Sequence, residues 1–224
     1  CRRWRDDLRV AVVVDIRRRQ TIRPESGGQP GVQRREVPRP VAVPPVKPER
    51  PASVKAVVIG DSHAAGVGYS TTLHAALTAV YPGQVAYYGV CSANIAWWLT
   101  PPQARNARMP CHAAAKPGRP APRIETGPVP PLPSLDDLLA AKPALVVFAL
   151  GSNPDADPAR LLGQVREKLA AAGSETRCLW VGPPPIPPRL DGYKKTFYEQ
   201  LNAQLAGRCR VIDSRTVMSG QPAG

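Results

Sequence analysis

Five short apolar runs, separated by longer amphipathic segments, dominate the pattern of hydrophobic and polar positions along this chain. The runs are residues 54–59, 84–88, 144–150, 178–181 and 210–213. They are rich in valine and other apolar residues and are bounded by glycine or polar residues, which is typical of buried β-strands. The run at 144–150 has no polar position at all, as expected for a strand that is buried on both faces.

Between the runs, leucine, valine and alanine recur three and four positions apart, which predicts helices that bury one face. The predicted helices cover residues 72–81, 134–141, 157–172 and 191–206. The alternation of strand and helix predicts an α/β fold, namely a three-layer, doubly wound, parallel sheet of five strands with helices on both faces. Residues 101–133, by contrast, contain ten prolines and no periodicity, and we interpret them as a lid, a binding loop or a disordered segment.

The expected order of the five strands places three polar residues close together. In a flavodoxin-like sheet the order is 2-1-3-4-5, so strands two and three lie on either side of strand one. Ser62, Ser92 and Asn153 follow the first, second and third strands. Because open α/β sheets bind ligands at the carboxyl ends of their strands, we expect these residues to converge on one site.

The first 52 residues differ in composition from the rest and are interpreted as a disordered arm. Residues 37–51 are so rich in proline that neither a helix nor a central strand is expected, and extended polyproline II is favoured. Residues 1–50 carry +7 of the net charge of +13. A solvated linker is the simplest interpretation of this basic arm, and proximity to an anionic membrane surface is the alternative. No specific nucleic-acid recognition is expected. The predicted α/β domain covers residues 53–224.

The five cysteines indicate disulfides. Cys178 and Cys209 each open a strand-like run, so a disulfide is feasible if those strands are adjacent and parallel. Cys91 and Cys111 flank a loop that a second disulfide would staple. Two pairs and an odd Cys1 favour a periplasmic or secreted protein, and free buried cysteines are the alternative. No C-x-x-C spacing points to zinc or redox chemistry, no apolar run reaches 18 residues, and we expect no metal and no cofactor.

Residues 57–66 carry the chain from the first strand through a tight turn towards a helix. Ser62 lies in that turn, at the carboxyl end of a strand and the start of a helix, where negative charge is favoured. A serine in this position is placed to act as a nucleophile. The alternative is structural, since Asp61 or Ser62 is also a good N-cap for the following helix.

Two segments resemble the motifs of one enzyme family. Gly60-Asp61-Ser62-His63 resembles the first block of the SGNH (GDSL-like) hydrolases, which are serine esterases and deacetylases with a flavodoxin-like sheet. Residues 149–153 resemble the third block. The resemblance implies that Ser62 is the nucleophile and that Asn153 belongs to the oxyanion hole. It also implies a backbone donor after the second strand, for which Ser92 is the best match and Gly89 the alternative.

The chain departs from the family pattern in two places. The family has glycine where Ser92 stands. The family's base is the histidine of an Asp-x-x-His block after the fifth strand, whereas this sequence continues from Asp213 to Gly224 without one. His63, His74 and His112 are not placed to replace it, so we expect the chain to be truncated before its base.

The resemblance implies hydrolysis of O-acyl esters, with an acylated small molecule or a cell-envelope glycan as the substrate. Three alternatives remain open at this stage. The first is the periplasmic domain of an O-acyltransferase, the second is a non-catalytic glycan-binding domain that lacks the base, and the third is an anion-binding protein that uses its basic arm. Trp97 and Trp98 either line the pocket or pack in the core, and the proline-rich loop 182–188 is expected to rim the site.

Overall fold

A computed structural model describes residues 53–184 and 191–215 of the chain. The predicted arm, 1–52, and much of the predicted rim loop lie outside the described residues, as do the residues after 215.

Seven strands in these ranges form one mixed sheet, in the order β4-β3-β2-β1-β5-β6-β7. Strands β2, β1, β5, β6 and β7 run parallel to one another, whereas β3 pairs antiparallel with β2 and β4 pairs antiparallel with β3. The strands are β1 Ala56–Gly60, β2 Val85–Val90, β3 Cys111–Ala115, β4 Ile124–Thr126, β5 Leu145–Ala149, β6 Arg177–Val181 and β7 Cys209–Ile212.

The predicted α/β class is confirmed, and the five parallel strands keep the predicted order 2-1-3-4-5 among themselves. The whole sheet nevertheless differs from the prediction in the number of strands and therefore in its complete order. Five parallel strands in the order 2-1-3-4-5 were expected, whereas the sheet has seven strands and gains the antiparallel strands β3 and β4 beyond β2. Both extra strands lie inside the segment that we interpreted as a loop. β3 has the sequence CHAAA, which contains no β-branched residue, and β4 has only three residues, all exposed. Neither segment therefore offers the run of 4–8 alternating residues by which a strand is recognised.

Six α-helices occur in the described ranges, besides a short 3-10 helix at Pro102–Ala104. They are α1 Ser62–Ala65, α2 Val67–Val80, α3 Ile95–Leu99, α4 Leu135–Ala140, α5 Pro158–Ala171 and α6 Asp191–Leu205. The four predicted helices are present, although α2 begins five residues before the predicted start at 72. Helices α1 and α3 were not predicted because four and five residues are too few to show a helical period. None of the helices is both long enough and apolar enough to cross a bilayer.

The core has two parts, one on each face of the sheet. All five residues of β1 are buried, and their side chains point alternately to the two faces. Val57 and Ile59 pack in a cluster with residues of α3, α4, α5 and α6. Ala56 and Val58 pack in the other cluster, with residues of α1 and α2. Because each face has its own helical layer, the central strands are dry on both sides.

Two disulfides are present, and both join cysteines that the sequence paired. Cys178 and Cys209 are register partners on β6 and β7, with their Cα atoms 4.5 Å apart. Cys91 and Cys111 join the end of β2 to the start of β3, with their Cα atoms 5.1 Å apart. The second disulfide therefore fastens an antiparallel strand that sequence analysis did not find.

Candidate functional site

The carboxyl ends of β1, β2 and β5 lie side by side in the middle of the sheet. Gly60, the last residue of β1, is in register with Gly89 of β2 and Ala149 of β5. The segments that follow these ends carry Ser62, Ser92 and Asn153. The structure therefore places the three predicted site residues on adjacent turns at the carboxyl ends of the central strands.

Beneath these turns, the backbone of α1 lies unusually close to the sheet. A Cβ atom added at Gly89 would lie 2.5 Å from the backbone nitrogen of Ala65 and 2.7 Å from the carbonyl carbon of Ala64. A Cβ at Gly60 would lie 2.8 Å from the carbonyl oxygen of Ala149. The backbone of α1 thus rests directly on β2, and only glycine allows this approach at position 89.

Asp61 is the residue that organises the turn after β1. Its side chain is 1% exposed. Its Oδ1 accepts a hydrogen bond from the backbone nitrogen of His63 at 2.9 Å, which makes it the N-cap of α1. Its Oδ2 accepts a hydrogen bond from the backbone nitrogen of Ser152 at 3.1 Å. Asp61, and not Ser62, is therefore the N-cap of α1, which decides between the two candidates that the sequence offered. Asp61 also links the turn after β1 to the turn after β5, residues 150–155, which we call the β5 turn.

Ser62 is the first residue of α1, and it is exposed. Within the described ranges its hydroxyl has no hydrogen-bond partner. A hydroxyl in this state is accessible to a substrate, but it is a weak nucleophile until a base removes its proton. The structure thus leaves Ser62 free of the capping role and available for chemistry.

His63 is directed towards Asp61 and the β5 turn. Its Nδ1 lies 3.3 Å from Asp61 Oδ1 and 2.9 Å from Ser152 Oγ. A proton on Nδ1 can be shared between these two oxygens, which leaves the lone pair on Nε2. The side chain is 43% exposed, and Ser62 is not among its hydrogen-bond partners. Sequence analysis missed Ser152 because its role depends on a contact between two turns that are 89 residues apart.

Ser92 lies in the β2 turn, residues 91–94, with a backbone φ of 65°. Glycine adopts this left-handed conformation readily, and other residues seldom do. The turn is held on both sides of Ser92, since the nitrogen of Cys91 donates to the Cys111 carbonyl at 2.8 Å and the nitrogen of Ala93 donates to the Val90 carbonyl at 3.1 Å. Ser92 itself is exposed at the tip of this turn.

Asn153 connects the β5 turn to the β2 turn. Its Nδ2 donates a hydrogen bond to the carbonyl oxygen of Ala93 at 2.8 Å. A side-chain amide carries two N–H groups, so one remains for another acceptor. The backbone carbonyl of Asn153 accepts a long hydrogen bond, 3.4 Å, from the hydroxyl of Tyr193 on α6. Asn153 is therefore held from both sides, close to the residue that follows Ser92.

Asp155 fixes the base of the same β5 turn to α3. Its two carboxylate oxygens accept hydrogen bonds from the backbone nitrogens of Ile95 and Ala96, each at 3.1 Å. The residue is 8% exposed, and this burial raises the pKa of the carboxyl group despite the two donors. Asn94, which caps α3 through the nitrogen of Trp97 at 3.0 Å, also donates to the carbonyl of Pro154 at 3.3 Å.

The two tryptophans and the other two histidines are buried and pack against neighbouring residues. Trp97 and Trp98 are buried in α3, which agrees with the packing alternative. His74 is buried edge-on to Tyr87, 6.3 Å between ring centroids, and its burial lowers its pKa. His112 is buried in β3 with Nε2 3.5 Å from a carboxylate oxygen of Glu125. Over the described residues, no group of three or more His, Cys, Asp and Glu side chains is arranged to hold a metal ion.

Comparison with protein-family models and with curated proteins gave no match. Among solved structures, the chain is similar to a crystal structure of TesA, with 21% sequence identity and a TM-score of 0.40. The similarity covers 69% of this chain and 74% of that chain. A likeness at this level carries no functional argument, and the evidence for a function lies in the residues at the carboxyl ends of the central strands.

Proposed function

We propose that this chain carries an SGNH-type serine ester hydrolase site, with Ser62 as the nucleophile and an O-acyl ester of a cell-envelope glycan as the substrate. One observation carries the proposal. Ser62, Ser92 and Asn153 follow the carboxyl ends of three adjacent parallel strands, and the Asn153 amide contacts the β2 turn at 2.8 Å. Ser62 and Asn153 are the residue types that the motif resemblance assigns to the nucleophile and the oxyanion hole, and Ser92 stands where the family has glycine.

In the proposed reaction the Ser62 hydroxyl attacks the ester carbonyl, and the resulting oxyanion is stabilised by three donors. They are the backbone N–H groups of Ser62 and Ser92 and the second N–H of the Asn153 amide. One such donor contributes on the order of 3 kcal/mol to the transition state. Gly89 is the weaker alternative to Ser92, because Gly89 lies within β2 directly beneath α1, whereas Ser92 is exposed at the tip of its turn.

The proposal requires a base for Ser62, and no histidine in the described ranges hydrogen-bonds its hydroxyl. His63 is engaged with Asp61 and Ser152. Asp213, after β7, accepts hydrogen bonds from Arg215, the closest at 2.6 Å. We therefore expect an added small base such as imidazole to accelerate acylation of Ser62.

The experiment is trapping of the acyl-enzyme with 4-nitrophenyl acetate, followed by peptide mass spectrometry. We expect acetyl on Ser62, faster with imidazole than without it, and none in Ser62→Ala. Ser174→Ala is the matched control, because Ser174 is an exposed serine in the turn before β6, at the opposite end of the parallel strands, and this variant should be acetylated at the native rate. An acetylation rate that is the same in Ser62→Ala would refute the nucleophile.

A non-catalytic glycan-binding domain is the second candidate, favoured by the unpartnered Ser62 hydroxyl. It predicts glycan binding without any acetylation of Ser62, with or without imidazole.

Transfer of the acyl group to a glycan instead of water would use the same three proposed donors. Analysis of the products in the presence of an acceptor sugar separates transfer from hydrolysis.

We also propose a periplasmic or secreted location. It is supported by the two disulfides, since structural disulfides persist in oxidising compartments. Electrophoretic mobility of the protein from its native source, with and without reductant, tests this, and free thiols at all four positions would contradict it.

A further inference from the structure

The two ends of the parallel strands differ in charge. At their amino ends, short segments lead into the strands or leave β3, and we call the surface that they form the amino-end face: residues 53–55, 81–84, 116–119, 141–144, 173–177 and 206–208. This face contains six lysine and arginine residues and one acidic residue, Glu175. The turns at the other end, residues 61–66, 91–94, 108–110, 150–157, 182–184 and 213–215, contain four aspartates and two arginines. The cations are therefore concentrated at the end opposite the proposed site.

Strand pairing brings cations from distant parts of the chain onto the amino-end face. Lys55 directly precedes β1; its backbone nitrogen donates to the Gln84 carbonyl at 2.9 Å, and its carbonyl accepts from the Leu145 nitrogen at 3.0 Å. Arg119 follows β3 and lines a small cavity together with Gly83, which lies just before β2. Because β3 is antiparallel to β2, the end of β3 reaches the same side as the start of β2. The face therefore extends across the sheet from β3 to β5.

Four cations of the amino-end face are exposed and unpaired, namely Lys55, Lys116, Arg119 and Lys142. Their side chains form no ion pair and no hydrogen bond with any other residue in the part of the chain that the structure describes. Lys168, by contrast, is balanced by Asp136, whose carboxylate oxygens lie 2.7 Å from its Nζ. Charges of one sign that are not balanced locally create a field that attracts an extended partner of the opposite sign.

The basic arm is attached at the same end. Residues 1–50 carry a net charge of +7, and the arm joins the domain at residue 53, directly before β1. The charge of the arm is therefore tethered to the amino-end face and not to the turns that carry Ser62 and Asn153.

The arrangement of the cations indicates the class of the partner. The four exposed cations lie on separate turns, so they do not enclose one small anion, and they match a surface that carries many anions. Anionic phospholipid headgroups form such a surface, and each lysine or arginine near it strengthens binding. Nucleic acid is the other common polyanion, but the two disulfides favour an oxidising compartment, where a membrane surface is the polyanion at hand.

We infer that the amino-end face docks on an anionic phospholipid surface, with the proposed site at the opposite end of the strands directed away from the bilayer. The inference rests on charge and topology, and it does not depend on whether Ser62 is a nucleophile.

The experiment is sedimentation of the full chain with lipid vesicles. We expect binding to vesicles of phosphatidylcholine and phosphatidylglycerol in a roughly 2:1 ratio, and none to phosphatidylcholine alone. Since exposed charges are screened by salt, binding should be lost at an ionic strength of about 1 M.

Two double variants with the same change of net charge test the face itself. Arg119→Glu/Lys142→Glu should weaken vesicle binding about tenfold or more, because it reverses two charges that lie against the lipid. Arg108→Glu/Lys195→Glu is the matched control and should bind like the native chain. Arg108 precedes β3 and Lys195 lies in the first turn of α6, so both are exposed cations away from the amino-end face.

Hydrogen exchange with and without vesicles, followed by mass spectrometry, tests the orientation. We expect slower exchange in residues 116–119 and 141–144 and unchanged exchange in residues 61–66 and 91–94. The reverse pattern would place the proposed site against the lipid and overturn the inference.

The remaining outcomes are equally decisive. Equal weakening by the two double variants would show a response to net charge alone, and native binding by both would assign it to the arm, so either result refutes the face. Tighter binding to duplex DNA than to the mixed vesicles at the same salt would refute the lipid. Failure of Ser62 acetylation in solution bears only on the proposed function and leaves this inference intact.

Discussion

The two disulfides of this protein sit at opposite ends of the parallel strands, and their surroundings differ accordingly. Cys178–Cys209 joins two strands near their amino ends, far along the chain direction from the turns that carry the candidate site. Cys91–Cys111 lies at the carboxyl end of β2, and Cys91 is followed directly by Ser92. One disulfide therefore stabilises the scaffold at the amino ends of the strands, and the other stabilises the proposed oxyanion turn at their carboxyl ends. Stability and activity should be separable by position along the strands.

The largest effect is expected at the carboxyl end, from Asn153→Ala. This change removes a proposed oxyanion donor and the bond to Ala93, so acetylation of Ser62 should slow by about 10²–10³-fold. The measurement is the rate of Ser62 acetylation by 4-nitrophenyl acetate. Asn202→Ala, an exposed position on α6, is the control and should leave the rate unchanged. A native rate in Asn153→Ala would remove this amide from the oxyanion hole.

The disulfides themselves give the sharpest form of the comparison. Replacing both cysteines of either pair by serine should lower the free energy of unfolding by about 2–4 kcal/mol, measured by urea denaturation. Only the Cys91→Ser/Cys111→Ser variant should also slow Ser62 acetylation, because it loosens the turn that presents the Ser92 N–H. If the Cys178→Ser/Cys209→Ser variant slowed acetylation as much, the two ends of the sheet would not be functionally distinct.

The smallest effect is expected at Ser134, which is outside the site. Its hydroxyl caps α4, and Asp137 accepts hydrogen bonds from the Ser134 hydroxyl at 2.6 Å and from its backbone nitrogen at 2.8 Å. These bonds lower the pKa of Asp137. A lowered pKa in the folded state stabilises the fold above the unfolded pKa, and this stabilisation is lost as the pH falls through the folded value.

Ser134→Ala should therefore cost about 1 kcal/mol at neutral pH, and the deficit should shrink in acid, where Asp137 is protonated in both proteins. Urea denaturation at neutral and acidic pH measures it, and acetylation of Ser62 should stay at the native rate. A deficit that grows in acid would contradict the assignment of the Asp137 shift to Ser134.

The parallel strands were predictable because their sequences are dictated by burial on both faces. A residue such as Val147, with helices above and below its strand, can only be apolar, so the run is visible without knowledge of the fold. β3 is different, since its alanines are specified by pairing with β2 and by the disulfide at Cys111. Neither constraint leaves a periodic pattern. The sheet was therefore predicted in its central part and missed at one edge.

The site divides in the same way. Ser62 and Asn153 could be singled out from motifs because each follows a recognisable strand, and the structure places them on neighbouring turns. Asp61 was recognised only as a candidate N-cap and Ser152 was not assigned a role, since the bond between them and the contact of Ser152 with His63 connect two turns that are remote in sequence.

The glycine floor beneath α1 restricts how this architecture can be diversified. At Gly60 and Gly89 even a methyl group would collide with backbone atoms of the adjoining segments, so neither position can be used to reshape the cleft. A directed-evolution library aimed at new substrates would waste its members there. Productive variation is expected at positions with room around them, such as the exposed Ser92 at the tip of the β2 turn, and a change in specificity has to be introduced there.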